Sequence, residues 1–168
     1  MKKKIYITGA SGTGKSTVGQ ELKRRGHSVI DIDDEDFCSW YDKNGIKYTE
    51  NNRPDENWLD EHCWNCDLPK LEKAIENSID DDVFIIGISS NLDHYSFDQI
   101  FLLTLDADTL IQRLTERTTN DFAKDPAEQQ YVLKIKDQYE KMMLEKVAIV
   151  LDSSKPVASI VDEILEKY

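Results

Sequence analysis

The sequence predicts an α/β fold built on a parallel sheet, and two observations carry that expectation. Short apolar strands alternate with helical stretches along the 168 residues, and the first strand runs straight into a glycine-rich turn followed by a helix. The turn, Gly9-Ala10-Ser11-Gly12-Thr13-Gly14-Lys15-Ser16, fits the pattern GxxxxGKS in full. Such a loop lets successive backbone N–H groups and the positive end of the helix converge on one anion, for which phosphate is the natural occupant. Lys15 then faces the β- and γ-phosphates, and the Ser16 hydroxyl completes the shell of a Mg²⁺ bridging them. The candidate nucleotide-binding residues are therefore Gly9, Ser11, Gly12, Thr13, Gly14, Lys15, Ser16 and Thr17. A glycine-rich turn without a ligand is the competing reading, and it does not call for the strand and helix that flank this one.

The remaining elements follow in order. A helix over residues 15–25 places Val18 and Leu22 one turn apart, with Gly26 suited to its C-terminal cap. Ser28-Val29-Ile30-Asp31-Ile32-Asp33 reads as a second strand in which Asp31 and Asp33 project to one side. Residues 34–80 read as an insertion covering a substrate. Its acidic first part gathers Phe37, Trp40, Tyr41, Tyr48, Trp58 and Trp64 and is expected to be helical, since a linker would be poor in aromatics. Most of those rings are expected to form a satellite core, with one or two lining a pocket. A helix over 69–79 points Leu71, Ala74, Ile75 and Ile79 inward, with Pro69 at its start.

Val83-Phe84-Ile85-Ile86-Gly87-Ile88 is a central strand ending in Ser89-Ser90-Asn91, and Ile100-Phe101-Leu102-Leu103-Thr104-Leu105 is another. A helix over 106–116 turns Leu110, Ile111 and Leu114 inward and sets Arg113 and Arg117 a turn apart. The polar residues 118–124 lie within a predicted lid, 117–126. Asp125-Pro126-Ala127-Glu128 is a capping box opening a long helix with Val132, Ile135, Tyr139 and Met142 facing the body. Residues 148–151 form the last strand and 156–167 the last helix.

Composition points to one domain spanning 1–168, kept in the cytoplasm: no apolar run approaches membrane-spanning length, and the basic start leads into a short strand. Three cysteines argue for free thiols. The net charge of −12 argues against nucleic-acid or anionic-membrane partners, which are held by clustered Lys and Arg.

The loop at the first strand, the Asp31-Ile32-Asp33 pair, the Arg113 and Arg117 helix entering a short lid, and the closing strand-loop-helix together resemble the shikimate kinase and nucleoside monophosphate kinase group of P-loop phosphotransferases. The resemblance covers almost the whole chain. It implies the P-loop NTPase fold: a five-stranded parallel sheet in order 2-3-1-4-5, flanked by helices, with an ATP site, a substrate-binding insertion and a lid. It further implies that Asp31 helps to position Mg²⁺, that Asp33 receives the acceptor hydroxyl's proton, and that Arg113 and Arg117 neutralise ATP phosphates. Ser153-Ser154-Lys155-Pro156 would sit by the adenine, with Ser153, Lys155 and Pro156 as contacts.

The third strand departs from that pattern. It ends in Gly87-Ile88-Ser89-Ser90-Asn91, without the Asp-Gly-x-Pro-Arg run of monophosphate kinases or the Gly-Gly-Gly run of shikimate kinases. The insertion is acidic, and Arg53 is its sole arginine, so convergent guanidinium groups for an anionic acceptor are lacking. The expected reaction is transfer of the ATP γ-phosphoryl group to a hydroxyl of a neutral or cationic small molecule, with aromatic rings suited to a nucleoside. The protein is expected to be a monomer or homodimer. The alternatives are a nucleotide-binding switch or regulatory ATPase, a nucleoside monophosphate kinase, and a catalytically idle binding module. No apolar strand ends in Asp-Glu, which weighs against the ATPase. Finally, His62-Cys63-Trp64-Asn65-Cys66 offers too few ligands for structural zinc, so buried inert cysteines are expected instead.

Overall fold

The computed structural model describes residues 2–33, 37–49, 58–118 and 121–168. In chain order its elements are β1 (Lys3–Thr8), α1 (Lys15–Arg24), β2 (Ser28–Asp31), β3 (Cys38–Asp42), α2 (Trp58–Glu61), β4 (His62–Cys66) and α3 (Leu68–Glu76). They are followed by β5 (Asp82–Ile86), β6 (Gln99–Thr104), α4 (Ala107–Glu116), α5 (Pro126–Glu145), β7 (Ile149–Asp152) and α6 (Val157–Lys167). The main sheet has five strands in the order β2-β5-β1-β6-β7, every neighbouring pair parallel. Counted within this sheet alone, that is the predicted order 2-3-1-4-5.

Pleating divides the central strands between two cores. Ile5, Ile7, Phe84 and Ile86 pack with Val18 and Leu22 of α1 and Ile160 and Ile164 of α6. Tyr6, Val83 and Ile85 turn the other way, onto Leu71 and Ile75 of α3. Because all five strands run the same way, the residues after β1, β2, β5 and β7 meet at one edge, where ligands bind in such sheets. No helix among the described residues is long and apolar enough to cross a membrane.

Side-chain caps set the helix starts. Asp67, Asp106 and Asp125 accept the N–H groups of Lys70 (3.1 Å), Thr109 (2.9 Å) and Glu128 (2.9 Å). In the predicted box at α5, the Glu128 carboxylate reaches past Asp125 to the Ala123 N–H at 2.5 Å. This draws the end of the segment predicted as a lid against the helix, where Ala123 is fully buried at φ 59°. Val132 and Tyr139 are buried on α5 as the spacing predicts, though Met143 is the buried methionine and Met142 lies at the margin. The Tyr139 hydroxyl lies 2.7 Å from the Thr8 hydroxyl and 3.3 Å from that of Tyr6, joining α5 to the end of β1.

Several expectations are corrected. The first part of the insertion is not helical where it is described, apart from the four residues of α2: β3 and β4 form an antiparallel ribbon pairing Trp40 with Trp64 and Cys38 with Cys66. The second strand ends at Asp31, so Asp33 lies in the turn beyond it. Helix α3 ends at Glu76, leaving Ile79 95% exposed. Cys63 is exposed, while Cys38 and Cys66 are buried. The aromatic residues chiefly form a satellite core: Trp58 stacks on His62 at 4.0 Å and meets Trp40 and Tyr48 edge-on at 5.1 and 4.8 Å. Arg53 lies outside the described residues, as do parts of the insertion (34–36, 50–57) and of the lid (119–120).

The two ends of α3 should therefore respond oppositely to truncation. Leu71→Ala removes a fully buried side chain and should cost about 2–5 kcal/mol in urea unfolding. Ile79→Ser, beyond the helix end, should stay within about 0.5 kcal/mol of the parent.

Candidate active site

The loop between β1 and α1 is closed from within. The Thr13 hydroxyl donates to the Ala10 carbonyl at 2.8 Å, and the Ser153 hydroxyl donates to the Thr13 carbonyl, tying the loop to the end of β7. Gly9 lies against β6, where an added Cβ would come within 2.4 Å of the Leu103 carbonyl oxygen. No side chain fits there without moving backbone. Lys15 opens α1 and is only 6% exposed. Its ammonium donates to the carbonyls of Gly9 (3.0 Å) and Ala10 (3.3 Å) and lies 3.5 Å from Asp33 Oδ2.

A cleft of about 620 Å³ opens over this loop. Of the predicted residues, Ser11, Gly12, Gly14, Lys15, Ser16 and Thr17 line it, together with Asp33, Arg113, Arg117, Ser153 and Lys155. Gly9, Thr13, Asp31 and Pro156 do not. Gly9 and Thr13 hold the loop's shape, and Pro156 caps α6. Glu116, Val18, Val157 and Ile160 also line the cleft and were not foreseen. Glu116 follows Arg113 by three residues on α4, and helical spacing was the available signal for it.

The cations are held differently from one another. Arg113 donates to the Ser153 carbonyl at 3.0 Å. Arg117, just past the end of α4, donates to the Ser11 hydroxyl at 3.1 Å and to the Phe122 carbonyl. Among the described residues its buried Nε has no hydrogen-bond partner, and burial pulls the guanidinium below its usual pKa, opposed by Glu128. A buried guanidinium with a vacant donor beside the phosphate loop suits an anion.

The carboxylates converge from the end of β2. Asp33 Oδ1 accepts the Ile88 N–H at 3.0 Å, and the Asp33 N–H donates to Asp31 Oδ1 at 3.2 Å. Burial, then the charge of Asp33, raises the pKa of Asp31 above the usual carboxylate value, opposed by a hydrogen bond from the Ser16 hydroxyl. Ser16, Asp31 and Asp33 offer the hard oxygen donors that Mg²⁺ takes, and this ion keeps waters and phosphate oxygens for the rest of its shell. Among the described residues, no three His, Cys, Asp or Glu side chains are grouped to hold a metal. Cys63 and Cys66 stand three apart in β4, so their thiols face opposite sides of the ribbon and do not close on one zinc.

A family described as "AAA domain" matches residues 5–136. The "Uncharacterized protein YqaC" of Bacillus subtilis (strain 168) is 31% identical over 124 residues, 70% of this chain and 57% of its own length, so the chain spans less than two thirds of that relative. Among solved structures, the deoxyadenosine kinase from M. mycoides with bound dATP aligns with a TM-score of 0.58 at 17% identity, over 99% of this chain and 98% of that one. A gluconokinase from Sinorhizobium meliloti 1021 aligns at 0.52 and 18% identity, over 98% and 90%. TT1252 from Thermus thermophilus aligns at 0.59 and 16% identity, over 98% and 95%. The fold is thus one that P-loop kinases share.

The raised pKa of Asp31 implies a conflict between site and stability. A carboxyl whose pKa is higher folded than unfolded costs stability once both states ionise, and costs nothing when both are protonated. Asp31→Asn should therefore unfold at higher denaturant than the parent at pH 7, with the advantage closing as pH falls through the raised folded pKa towards the unfolded value of about 4 and absent below it. Denaturant melts across that range check it.

Proposed function

The chain belongs to the AAA domain family, matched over residues 5–136, and from that premise we propose that it transfers the γ-phosphoryl group of ATP to a hydroxyl of a small neutral or cationic acceptor. The observation that carries this reading is the position of Asp33: its carboxylate lines the phosphate-loop cleft, 3.5 Å from Lys15. An acceptor hydroxyl bound there meets a carboxylate on one side and the γ-phosphoryl group on the other, as phosphoryl transfer requires.

The geometry supports the following roles. The loop amides and Lys15 take the β- and γ-phosphates, with Lys15 exchanging the Gly9 and Ala10 carbonyls for phosphate oxygens. Arg117 turns its vacant Nε–H toward the same charge, and Arg113, fixed by Ser153, takes a second phosphate. Asp33 orients the acceptor and receives its proton. Ser16 and Asp31 would hold Mg²⁺, which when bound neutralises charge on the phosphates. Ser153 and Lys155, which line the cleft, flank the base. Residues 34–80 cover the acceptor, and 117–126 close the cleft against water.

The described aromatic side chains of the insertion largely contact one another, so they support a nucleoside acceptor less directly than their number suggests. What favours a neutral or cationic acceptor is the carboxylate pair at the cleft together with the acidic insertion.

The test is ADP formation from MgATP with deoxyadenosine as the first acceptor, extended to other nucleosides, polyols and amino sugars, with gluconate as an anionic contrast whose preferred phosphorylation would overturn the neutral or cationic assignment. Turnover should require an acceptor. Lys15→Ala should abolish it without unfolding the chain, alanine being a good helix former. Asp33→Asn should lower kcat by about 10²–10⁴ while ATP binds no more weakly, because the substitution removes a carboxylate that competes for Lys15. Equal ADP release with and without acceptor would indicate a regulatory ATPase, and parental kcat in Asp33→Asn would remove Asp33 from the chemistry.

A further inference from the structure

The loop after β5 contains the residues that depart most from the pattern of related kinases, and its polar groups point to backbone. Asn91 bonds the Cys66 peptide from both sides: its Oδ1 accepts the Cys66 N–H at 2.9 Å, and its Nδ2 donates to the Cys66 carbonyl at 2.8 Å. The carboxamide thus pairs as a neighbouring strand's peptide would. Ser89 Oγ accepts the same Cys66 N–H at 3.0 Å and lies 2.7 Å from Asn91 Oδ1 and 3.2 Å from the Trp64 carbonyl. The Ser90 N–H donates to that carbonyl at 2.8 Å. The outer edge of β4, unused by β3, is thereby joined to this loop.

The other end of the loop holds Asp33. Gly87, at φ 143°, brings the backbone so near that a Cβ would stand 2.4 Å from Ile32 Cγ1 and 3.0 Å from Asp33 Oδ1. That approach lets the Ile88 N–H reach Asp33 Oδ1. One five-residue loop therefore grips the carboxylate at its start and the ribbon at its end.

We propose that Asn91, with Ser89, is a positioning residue for the acceptor: it fixes the β3-β4 ribbon relative to Asp33 and so sets the space in which the acceptor's hydroxyl meets that carboxylate. The assignment rests on the kinase reading above. It also accounts for the departure from related loops, because Ser89 and Asn91 bind the protein's own backbone instead of the acceptor, leaving acceptor choice to the ribbon and the carboxylates. None of residues 87–91 lines the cleft over the glycine-rich loop.

Asn91→Ala removes both bonds to the Cys66 peptide. With deoxyadenosine, or otherwise the neutral or cationic acceptor that the parent phosphorylates, it should raise the acceptor KM by about tenfold, while the KM for ATP stays within about twofold. Ser89→Ala leaves the Asn91 carboxamide in place and should raise the acceptor KM by about threefold. In hydrogen exchange without ligands, Asn91→Ala should release the Cys66 amide while β1 and β5 amides keep their protection. Equal rises in both KM values, or release of the central strands as well, would show a general structural role and overturn the proposal. An unchanged acceptor KM would overturn it too. A parent protein inactive on every acceptor would instead overturn the kinase reading and the positioning role built on it, while exchange at Cys66 would still report whether the clamp holds the ribbon.

Discussion

The structure depends on keeping one ammonium group out of bulk water without leaving it alone. Lys15 is nearly buried, and a buried cation is tolerated only where oxygen atoms replace its hydration. Two carbonyls of the glycine-rich loop and the Asp33 carboxylate supply those atoms. Each supplier imposes a demand elsewhere. The carbonyls converge because the loop curls over β6 where only a hydrogen atom fits at Gly9. Asp33 reaches Lys15 because β2 stops short and the chain turns. The parallel sheet brings both to one edge, and the two cores on its faces hold that edge rigid.

Charge is distributed with the same economy. The chain carries 33 acidic residues against 21 lysines and arginines, yet its cleft gathers Lys15, Arg113, Arg117 and Lys155. A phosphate site needs local field rather than net charge, since protein walls and short distances outweigh screened charges farther away. Arg117 shows the cost of arranging this beforehand. Its guanidinium is partly desolvated with one donor unmet, a state unfavourable to the empty protein and favourable once an anion arrives.

Local signals were legible in the sequence. The loop needs particular residues at fixed spacing, so Gly9 to Ser16 announced the turn, and continuous apolar runs marked the central strands. The cap at Asp125, read from its spacing to Glu128, lies three residues from the N–H it accepts. The ribbon was not legible for the opposite reason. Cys38, Trp40, Trp64 and Cys66 alternate correctly for strands, but each strand's partner lies across a long intervening stretch, and aromatic residues in short runs suit either structure. The role of Asp33 was inferred from a resemblance, with the wrong local geometry: a strand that continued to Asp33 would have put the two carboxylates side by side, whereas the turn gives Asp33 its own partners in Lys15 and Ile88.

Those partners give the two Asp33 oxygens different tasks on the proposed reading. Oδ1 is held by the Ile88 amide, a backbone donor independent of Lys15, so this bond would keep the carboxyl group in place if Lys15 turned to a nucleotide. Oδ2 faces Lys15, and this is the contact that a phosphate contests. Phosphate binding therefore frees one oxygen while the other stays fixed by backbone. A hydroxyl arriving second finds an acceptor already oriented, its position set by the same loop that carries the ribbon. Order of binding, placement of the proton acceptor and placement of the cover then share one origin, the short backbone path from Gly87 to Asn91.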